Sequence, residues 1–243
     1  MRFWQILDRA ATPEGTLELR RRGEGAEAEY VITLGGRVLM NGGAHRTEDA
    51  VAELACRPIA TRERPRVLLG GLGMGYTLRA ALDALPRSAE VLVAEIDPVI
   101  VGWCRGPLAA LTARAVDDRR VRIEIADVAQ GIARAAQAPE LEKLDAIILD
   151  LYEGPREAHG GRNDPLWGDR ALANAHAALA PGGILAVWSE DADAAFEKRL
   201  QKAGFRVERR RPGRGGPRHV VYLAVTASSP RKAARAMLSP SRR

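Results

Sequence analysis

From Arg66 onward, short apolar runs alternate with longer amphipathic stretches. A short apolar run is typical of a strand buried on both faces, and an amphipathic stretch is typical of a helix packed on a sheet. The alternation therefore predicts βαβ units on a parallel sheet. The predicted strands are RVLLG, EVLVAEI, VRIEIA, LDAIILD and GILAVWS, and the predicted helices cover residues 76–85, 99–111, 128–137, 169–180 and 192–203.

The alternation ends in two β-rich runs, FRVERRR and HVVYLAV, without a helix between them. The intervening PGRGGP is a turn sequence, so the two runs are predicted to pair as an antiparallel hairpin. The predicted fold is α/β, with a mostly parallel sheet of seven strands, one of them reversed, and helices on both faces. This ending differs from the all-parallel dinucleotide-binding arrangement and is typical of a methyltransferase-like (Rossmann-like) sheet.

Before Arg66 the sequence favours a small β-element. TLELRRR alternates polar and apolar residues, and YVITLGGRVLM places two β-rich runs around Gly35-Gly36, a pair that suits a tight hairpin turn. Thr47 is predicted to cap a helix whose first turn carries Glu48 and Asp49. The predicted organisation is an N-terminal β-hairpin element with its connecting helix (1–62), a methyltransferase-like domain (63–227) and a basic, disordered tail (228–243).

The composition, 46% hydrophobic and 28% charged over 243 residues, suits one well-buried domain with extensions. No apolar run approaches the length of a membrane span, and the N-terminus lacks the apolar stretch of a signal peptide, so a cytoplasmic location is expected. Cys56 and Cys104 lie far apart in sequence and are expected to be reduced core thiols. The four histidines have no metal-ligand spacing, and no metal is expected.

The net charge of +6 comes largely from two arginine-rich segments, RVERRRPGRGGPRH and SSPRKAARAMLSPSRR. Such charge attracts nucleic acid or acidic small molecules, or it belongs to a solvated loop and a frayed end. The second interpretation is favoured because no aromatic residues interleave the arginines, as they do where nucleic-acid bases stack. Nucleic acid stays the less favoured of the two alternatives.

A glycine-rich segment, VLLGGLGMGYTLRAAL, runs from the first predicted strand into a helix. Gly71, Gly73 and Gly75 let the backbone approach a ligand closely and present amides to it, with Met74 among them. Such a loop is also compatible with a tight strand-to-helix turn, or with the pyrophosphate loop of an NAD enzyme. The loop alone does not distinguish these possibilities.

Acidic residues follow the next predicted strands. Glu95 ends the second strand, at the position where a carboxylate accepts the ribose hydroxyls of a nucleoside, and Asp127 and Asp150 follow the third and fourth. The carboxyl ends of parallel strands meet at one edge of the sheet, so these residues are expected to converge with the glycine loop. The candidate ligand-binding residues are Gly71, Gly73, Met74, Gly75, Glu95, Ile96, Asp127, Val128 and Asp150.

The segments GGLGMGYTLRAAL, AEIDP, ADVAQ and LDAIILDLYEGP together resemble the polyamine aminopropyltransferases, of which spermidine synthase is the type, over residues 30–225. The resemblance implies a nucleotide-binding transferase whose co-substrate is S-adenosylmethionine or its decarboxylated form. It places Glu95 at the ribose, Asp127 at the adenine, and Asp150 beside a small-molecule amine acceptor. It also implies a homodimer. Asp150 is predicted to be the base, with Glu153 and Tyr152 shaping the acceptor site.

The sequence also departs from that family. Met74 stands where the glycine loop of the family carries an Asp that holds the amino group of the donor. In the helix before the sheet, Ala50, Val51 and Ala52 stand where the family turns Tyr and His or Gln toward the polyamine. Three alternatives therefore stay open: a methyltransferase acting on a small molecule, RNA or protein; a non-catalytic nucleotide-binding protein; and, least favoured, an NAD-dependent enzyme.

Overall fold

A computed structural model describes residues 3–43, 45–152, 154–155, 161–212 and 219–228. The chain begins with an antiparallel sheet of four strands in the order β1-β2-β3-β4. The predicted hairpin is present, and both turn residues have positive φ, +55° at Gly35 and +83° at Gly36. The strands are β1 (Gln5–Thr12), β2 (Gly15–Arg22), β3 (Glu29–Leu34) and β4 (Arg37–Asn41).

Helix α1 (Arg46–Cys56) follows this sheet, as predicted, and buries Val51 and Cys56. The prediction that Thr47 caps the helix is wrong. The N-cap residue is His45, which makes no side-chain capping bond. The Thr47 hydroxyl instead lies 3.1 Å from Nδ1 of His219, a residue distant in sequence. The Thr47 side chain thus makes a tertiary contact in place of the predicted capping bond within the helix.

The main sheet has seven strands in the order β10-β11-β9-β8-β5-β6-β7. Every neighbouring pair is parallel except the two that involve β11, which is antiparallel to both β9 and β10. The predicted methyltransferase-like sheet is therefore confirmed. Its strands are β5 (Arg66–Gly70), β6 (Glu90–Glu95), β7 (Val121–Ile125), β8 (Leu144–Leu149), β9 (Leu179–Ser189), β10 (Arg206–Arg210) and β11 (Val220–Val225).

Helices cover both faces of this sheet and form two apolar clusters with it. α1, α2 and α3 pack on one face, and α4, α5 and α6 pack on the other. β8 lies at the centre and is buried along its whole length, which explains its uninterrupted apolar sequence. The further helices are α2 (Tyr76–Ala84), α3 (Pro98–Arg105), α4 (Val128–Ala136), α5 (Asp169–Ala178) and α6 (Ala194–Lys202).

Helix α3 is shorter than predicted. It ends at Arg105 because Gly106 and Pro107 follow, and the residue before a proline avoids the helical conformation. The apolar residues that suggested a longer helix form a separate 3-10 turn over Ala109–Thr112. Within the described residues, no helix is long and apolar enough to cross a membrane.

A buried ion pair joins the segment before the main sheet to the sheet itself. Asp145 at the start of β8 is 8% exposed and pairs with the guanidinium of Arg62. The second oxygen of Asp145 accepts the backbone N–H of Arg66 at 2.7 Å. Arg62 also donates to the carbonyl oxygens of Pro181 and Gly182, each at 3.1 Å. One carboxylate thus fixes the entry to β5 against β8 and the beginning of β9.

We expect Asp145→Ala to lower the free energy of unfolding by about 2–4 kcal/mol, because it leaves a half-buried guanidinium and a backbone N–H without their acceptor. Urea unfolding measures the change. The control is Asp83→Ala, which removes a carboxylate that is 67% exposed from its pair with Arg79. The control should change the free energy by less than about 1 kcal/mol, and equal losses in both variants would contradict the anchoring role.

Candidate functional site

The glycine loop between β5 and α2 needs its glycines for two reasons. Gly71 and Gly75 have φ of +81° and +85°, which favour glycine. Side chains would also collide with neighbouring elements. A Cβ at Gly71 would lie 2.8 Å from the carbonyl oxygen of Asp150, and one at Gly70 would lie 2.8 Å from Cγ2 of Val128. The loop is therefore pressed against the ends of the adjacent strands.

The carboxylate of Glu95 holds this loop in place. It is buried, at 7% exposure, and one oxygen accepts the backbone N–H of Leu72 at 2.8 Å. The other oxygen accepts the N–H of Asp97 at 2.9 Å. Burial raises the pKa of Glu95, while these backbone hydrogen bonds lower it. Each oxygen keeps a lone pair for another donor, so the carboxylate can also receive ribose hydroxyls.

Asp127 stands at the same edge, one strand further along. It is the N-cap of α4, and one carboxylate oxygen accepts the N–H of Ala129 at 2.8 Å. The cap uses this one oxygen, Oδ1, of the carboxylate. The next residue, Val128, is buried against the sheet, whereas Ile96 is 74% exposed after β6. Asp127 and Ile96 are thus accessible to a ligand, and Val128 supports the loop from below.

Asp150 follows the central strand β8. The Thr77 hydroxyl of α2 donates to one oxygen of its carboxylate. Burial raises the pKa of Asp150, and the hydrogen bond from Thr77 lowers it. The neighbouring backbone is tied to the glycine loop, because the Asp150 N–H donates to the carbonyl oxygen of Gly70 at 3.3 Å. A half-buried carboxyl group therefore lies next to the glycine loop, where the sequence predicts the acceptor site.

Glu48, in the first turn of α1, was not among the predicted site residues. Burial, together with the negative charge of Asp150, raises the pKa of Glu48 to about 7. Two carboxyl groups from distant parts of the chain thus share one region. The acidic first turn of α1 was visible in the sequence, but it was interpreted as favouring the helix dipole. Val51 and Ala52 follow Glu48 by three and four residues, so they lie on the same side of α1 as Glu48.

Aromatic and polar groups surround the N-terminal end of α1. The His45 ring stacks on Tyr76, with 4.2 Å between ring centroids. The Tyr76 hydroxyl donates to the Gly42 carbonyl oxygen at 2.9 Å. Burial raises the pKa of Tyr76, as do the charges of Asp49 and Glu48. This end of α1 is thereby held against α2 and beside Asp150.

The N-terminal sheet contacts the glycine loop directly. The backbone N–H of Met74 lies 3.1 Å from the sulfur of Met40 on β4. A Cβ at Gly73 would lie 2.7 Å from Cε of Met40. The Met74 side chain is fully buried and forms part of the core near Gly42. The backbone N–H and the side chain of Met74 are therefore both engaged within the protein.

Two predicted residues remain, and the structure describes one of them, Tyr152. Tyr152 is 45% exposed, and the guanidinium of Arg37 lies 5.7 Å from its ring centroid. Glu153 lies outside the described residues. The β10–β11 turn and the basic tail after Ser228 also lie outside them.

The two cysteines are buried free thiols, as predicted. Burial raises the pKa of each to about 12, so both are protonated near neutral pH and unreactive. Cys104 lies 3.3 Å from the carbonyl oxygen of Gly73 and supports the loop from behind. Among the residues that the structure describes, no group of three or more His, Cys, Asp or Glu side chains could hold a metal ion.

The predicted convergence is present in the sheet order. The strands that end in the glycine loop, Glu95, Asp127 and Asp150 are neighbours in the order β8-β5-β6-β7. Their carboxyl ends form one edge, with α1 and the N-terminal sheet packed beside it. The glycine loop and the carboxylates of Glu95, Asp127 and Asp150 are thus grouped at the carboxyl ends of the strands, where open α/β sheets bind their ligands.

Comparison with solved structures places this fold among known ones. The chain is similar to the spermidine synthase of Thermotoga maritima, with a TM-score of 0.68 and 18% identity over 98% of this chain and 80% of that one. A spermidine synthase in complex with the transition-state analogue AdoDATO has a TM-score of 0.67, 18% identity and the same coverage. Human methyltransferase-like protein 13, in complex with SAH, has a TM-score of 0.58 and 20% identity over 82% of this chain and 95% of that one.

No protein-family model matches the chain, and no curated protein sequence matches it either. The structural similarity therefore establishes the class of fold. The chain has the methyltransferase-like fold that spermidine synthases and methyltransferase-like protein 13 share. Its match to the spermidine synthases extends over nearly the whole chain, the four-stranded N-terminal sheet included.

We expect Glu95→Gln to lower the free energy of unfolding by about 1–3 kcal/mol, because the new NH₂ group faces a backbone N–H in place of an acceptor. Urea unfolding at neutral pH measures the loss. The control is Glu90→Gln on the same strand, whose carboxylate is 43% exposed. A stability equal to that of the wild type would show that Glu95 does not hold the loop.

Proposed function

We propose that the protein is a transferase that binds an adenosyl-sulfonium nucleotide as co-substrate and moves an alkyl group, aminopropyl, to an amine acceptor. The co-substrate that carries an aminopropyl group is decarboxylated S-adenosylmethionine; S-adenosylmethionine itself, the alternative co-substrate, carries a carboxylate on the corresponding chain. The observation that carries the proposal is the half-buried carboxyl group of Asp150, which Thr77 hydrogen-bonds beside the glycine loop, with the carboxyl group of Glu48 in the same region. Carboxylates at this place attract a cationic amine and can take its proton.

Three groups at this edge are available to the nucleoside end of the co-substrate. The loop offers the backbone N–H of Gly73, because its other backbone N–H groups, those of Gly71, Leu72, Met74 and Gly75, already bond within the protein. Glu95 offers two oxygens that are already oriented by hydrogen bonds. Asp127 has one carboxylate oxygen beyond the one that caps α4.

The transfer is a displacement at a carbon attached to a sulfonium. The amine nitrogen forms a bond to this carbon while the carbon–sulfur bond breaks, and the sulfur leaves as a neutral thioether with the electron pair. The amine gives up a proton, for which Asp150 is the acceptor in this proposal. Since the co-substrate is already activated, the protein contributes alignment and a base. Tyr152 and Glu153 shape the outer part of the acceptor site.

The position of Glu48 offsets the departure at Met74. In the resembling family, an acidic residue of the glycine loop holds a cationic amino group, and here that position has a buried methionine. Glu48 brings a carboxyl group to Asp150 from α1 instead. We propose that the charge needed for an ammonium group comes from this helix.

A methyltransferase is the second candidate, and Met74 is the observation that favours it. A methyl donor keeps the carboxylate of its methionine part, for which an acidic loop residue would be unfavourable. The products distinguish the two reactions. Aminopropyl transfer releases methylthioadenosine, and methyl transfer releases adenosylhomocysteine, which mass spectrometry separates.

A homodimer is also proposed. Exposed apolar side chains lie at both edges of the N-terminal sheet: Phe3 (79% exposed) and Ile6 (37%) at the β1 edge and Val38 (57%) at the β4 edge. Their burial against a second copy of the chain would favour self-association.

We expect Asp150→Asn to lower amine-dependent turnover by about two to four orders of magnitude, because an amide cannot accept the proton. Affinity for the nucleotide should stay within a few-fold of that of the wild type. Turnover is followed by nucleoside product release, and affinity by calorimetry. The control is Asp83→Asn, an exposed carboxylate at the far end of α2. Unchanged turnover of Asp150→Asn would exclude it as the base.

We expect Glu48→Gln to stabilise the protein by about 1–2 kcal/mol at pH 8 and to have little effect at pH 5. The folded-state pKa of Glu48, about 7, lies above the ordinary value of 4.5. The unfolded chain therefore loses this proton first as the pH rises, and stability falls between these two values. Glutamine does not ionise, so the variant does not lose stability as the pH rises through this range.

Urea unfolding at both pH values measures this difference. Glu53→Gln is the matched control, since Glu53 lies on the same helix with its side chain 46% exposed. An effect that is equal at both pH values would contradict the burial of Glu48 beside Asp150.

A further inference from the structure

Charge is distributed unevenly along this chain. The whole sequence has 37 Lys and Arg against 31 Asp and Glu, and residues 198–243 hold 14 of these basic residues but one acidic residue, Glu208. Residues 1–197 therefore hold 23 basic against 30 acidic residues, a net charge of −7, while the remainder carries +13. A separation of this size points to an anionic partner for the basic part.

The structure shows where half of this basic charge lies. Seven of the 14 residues belong to α6, β10 and the residue after β10, which pack together at one side of the main sheet. β10 is the outermost strand of that sheet. We call this region the α6–β10 surface, and its basic members are Lys198, Arg199, Lys202, Arg206, Arg209, Arg210 and Arg211.

Nearby carboxylates neutralise this surface in part. Arg209 lies 3.7 Å from Glu197, Arg210 lies 2.5 Å from Glu208, and Lys202 lies 3.0 Å from Asp169. These pairs are exposed, so each is weak and can exchange its partner.

Three exposed basic residues of the surface have no carboxylate partner among the described residues: Lys198, Arg206 and Arg211. The positive charge therefore remains open to an anion from solution.

The surface leads toward the candidate cleft. β10 runs parallel to β8, so its arginine-rich carboxyl end lies at the same sheet edge as Asp150. Three strand spacings separate the two strands in the order β10-β11-β9-β8, a distance of about 14 Å. Side chains alternate along β10, so Arg209 faces α6 while Arg206 and Arg210 face the other way. Because β10 is an edge strand, a nucleic-acid strand that follows it over the roughly 13 Å from Arg206 to Arg210 can meet cations of both faces with successive phosphates.

We propose that the α6–β10 surface binds the phosphate backbone of a nucleic acid. Arginine forks match phosphate oxygens, and repeated phosphates suit a row of cations better than a single small anion does. A lipid surface fits less well, because none of the large exposed apolar side chains of the described residues lies on α6 or β10. The lack of exposed aromatic rings there predicts binding without base stacking, and hence little sequence preference. The proposal is independent of the transferase activity.

The test uses the full chain and fluorescein-labelled 20-nucleotide RNA, single-stranded DNA and duplex DNA of mixed sequence. Fluorescence anisotropy between 50 and 200 mM KCl should show binding that weakens steeply with salt, as counterion release requires. The variant Lys198→Glu/Arg206→Glu/Arg211→Glu should lose at least about tenfold in affinity at 100 mM KCl relative to the control. Comparison of the three probes shows which nucleic acid is preferred.

The matched control is Arg64→Glu/Arg87→Glu/Arg119→Glu. It makes the same change in charge at the opposite edge of the sheet, where these exposed residues precede β5, β6 and β7. Circular dichroism should show wild-type folding for both variants, and Arg206→Glu alone serves if the triple variant is unfolded.

Three results would overturn the proposal: no binding of any probe at 50 mM KCl, equal losses in both variants, or binding to anionic phospholipid vesicles that nucleic acid does not displace.

Discussion

The bridge that Glu95 makes between two neighbouring strand ends is the interaction on which the candidate site depends. A carboxylate at the end of β6 accepts the backbone N–H of Leu72 from the loop after β5 and that of Asp97 from its own turn. Burial of the carboxylate is unfavourable, and the two amides offset that cost. The glycine loop is consequently fixed before any ligand arrives, which reduces the entropy lost on binding.

The second constraint is the closure of the cleft by parts of the chain that precede the main sheet. Met40 rests on the glycine loop, and the stacked rings of His45 and Tyr76 hold the beginning of α1 against α2. Glu48 is placed in the region of Asp150 as a consequence, and burial, together with the negative charge of Asp150, raises the pKa of Glu48 to about 7. In the proposed function, the charge of a cationic substrate would favour loss of the Glu48 proton, because it would offset the repulsion between the two carboxylates.

The sequence predicted the main sheet well because its strands are short, apolar and separated by clear helical patterns. The predictions were less accurate where tertiary contacts determine the conformation of a segment or the position of a side chain. β1 was not predicted because QILDRAAT does not alternate strictly between polar and apolar residues, and its strand conformation depends on pairing with β2. Thr47 looked like a helix cap, yet it bonds His219. The sequence could not show whether the side chains of Met74 and Glu48 point toward the candidate site. The packing of the N-terminal segment on the glycine loop decides where each of them lies.

The central claim is that the edge formed by the glycine loop, Glu95, Asp127 and Asp150 binds an adenosyl nucleotide. Isothermal titration of the purified chain with S-adenosylmethionine, decarboxylated S-adenosylmethionine and methylthioadenosine tests it most directly. Our account predicts saturable binding of at least one sulfonium nucleotide at one site per chain. Methylthioadenosine, which keeps the adenosine part, should compete for that site. Absence of binding by all three compounds would contradict the account.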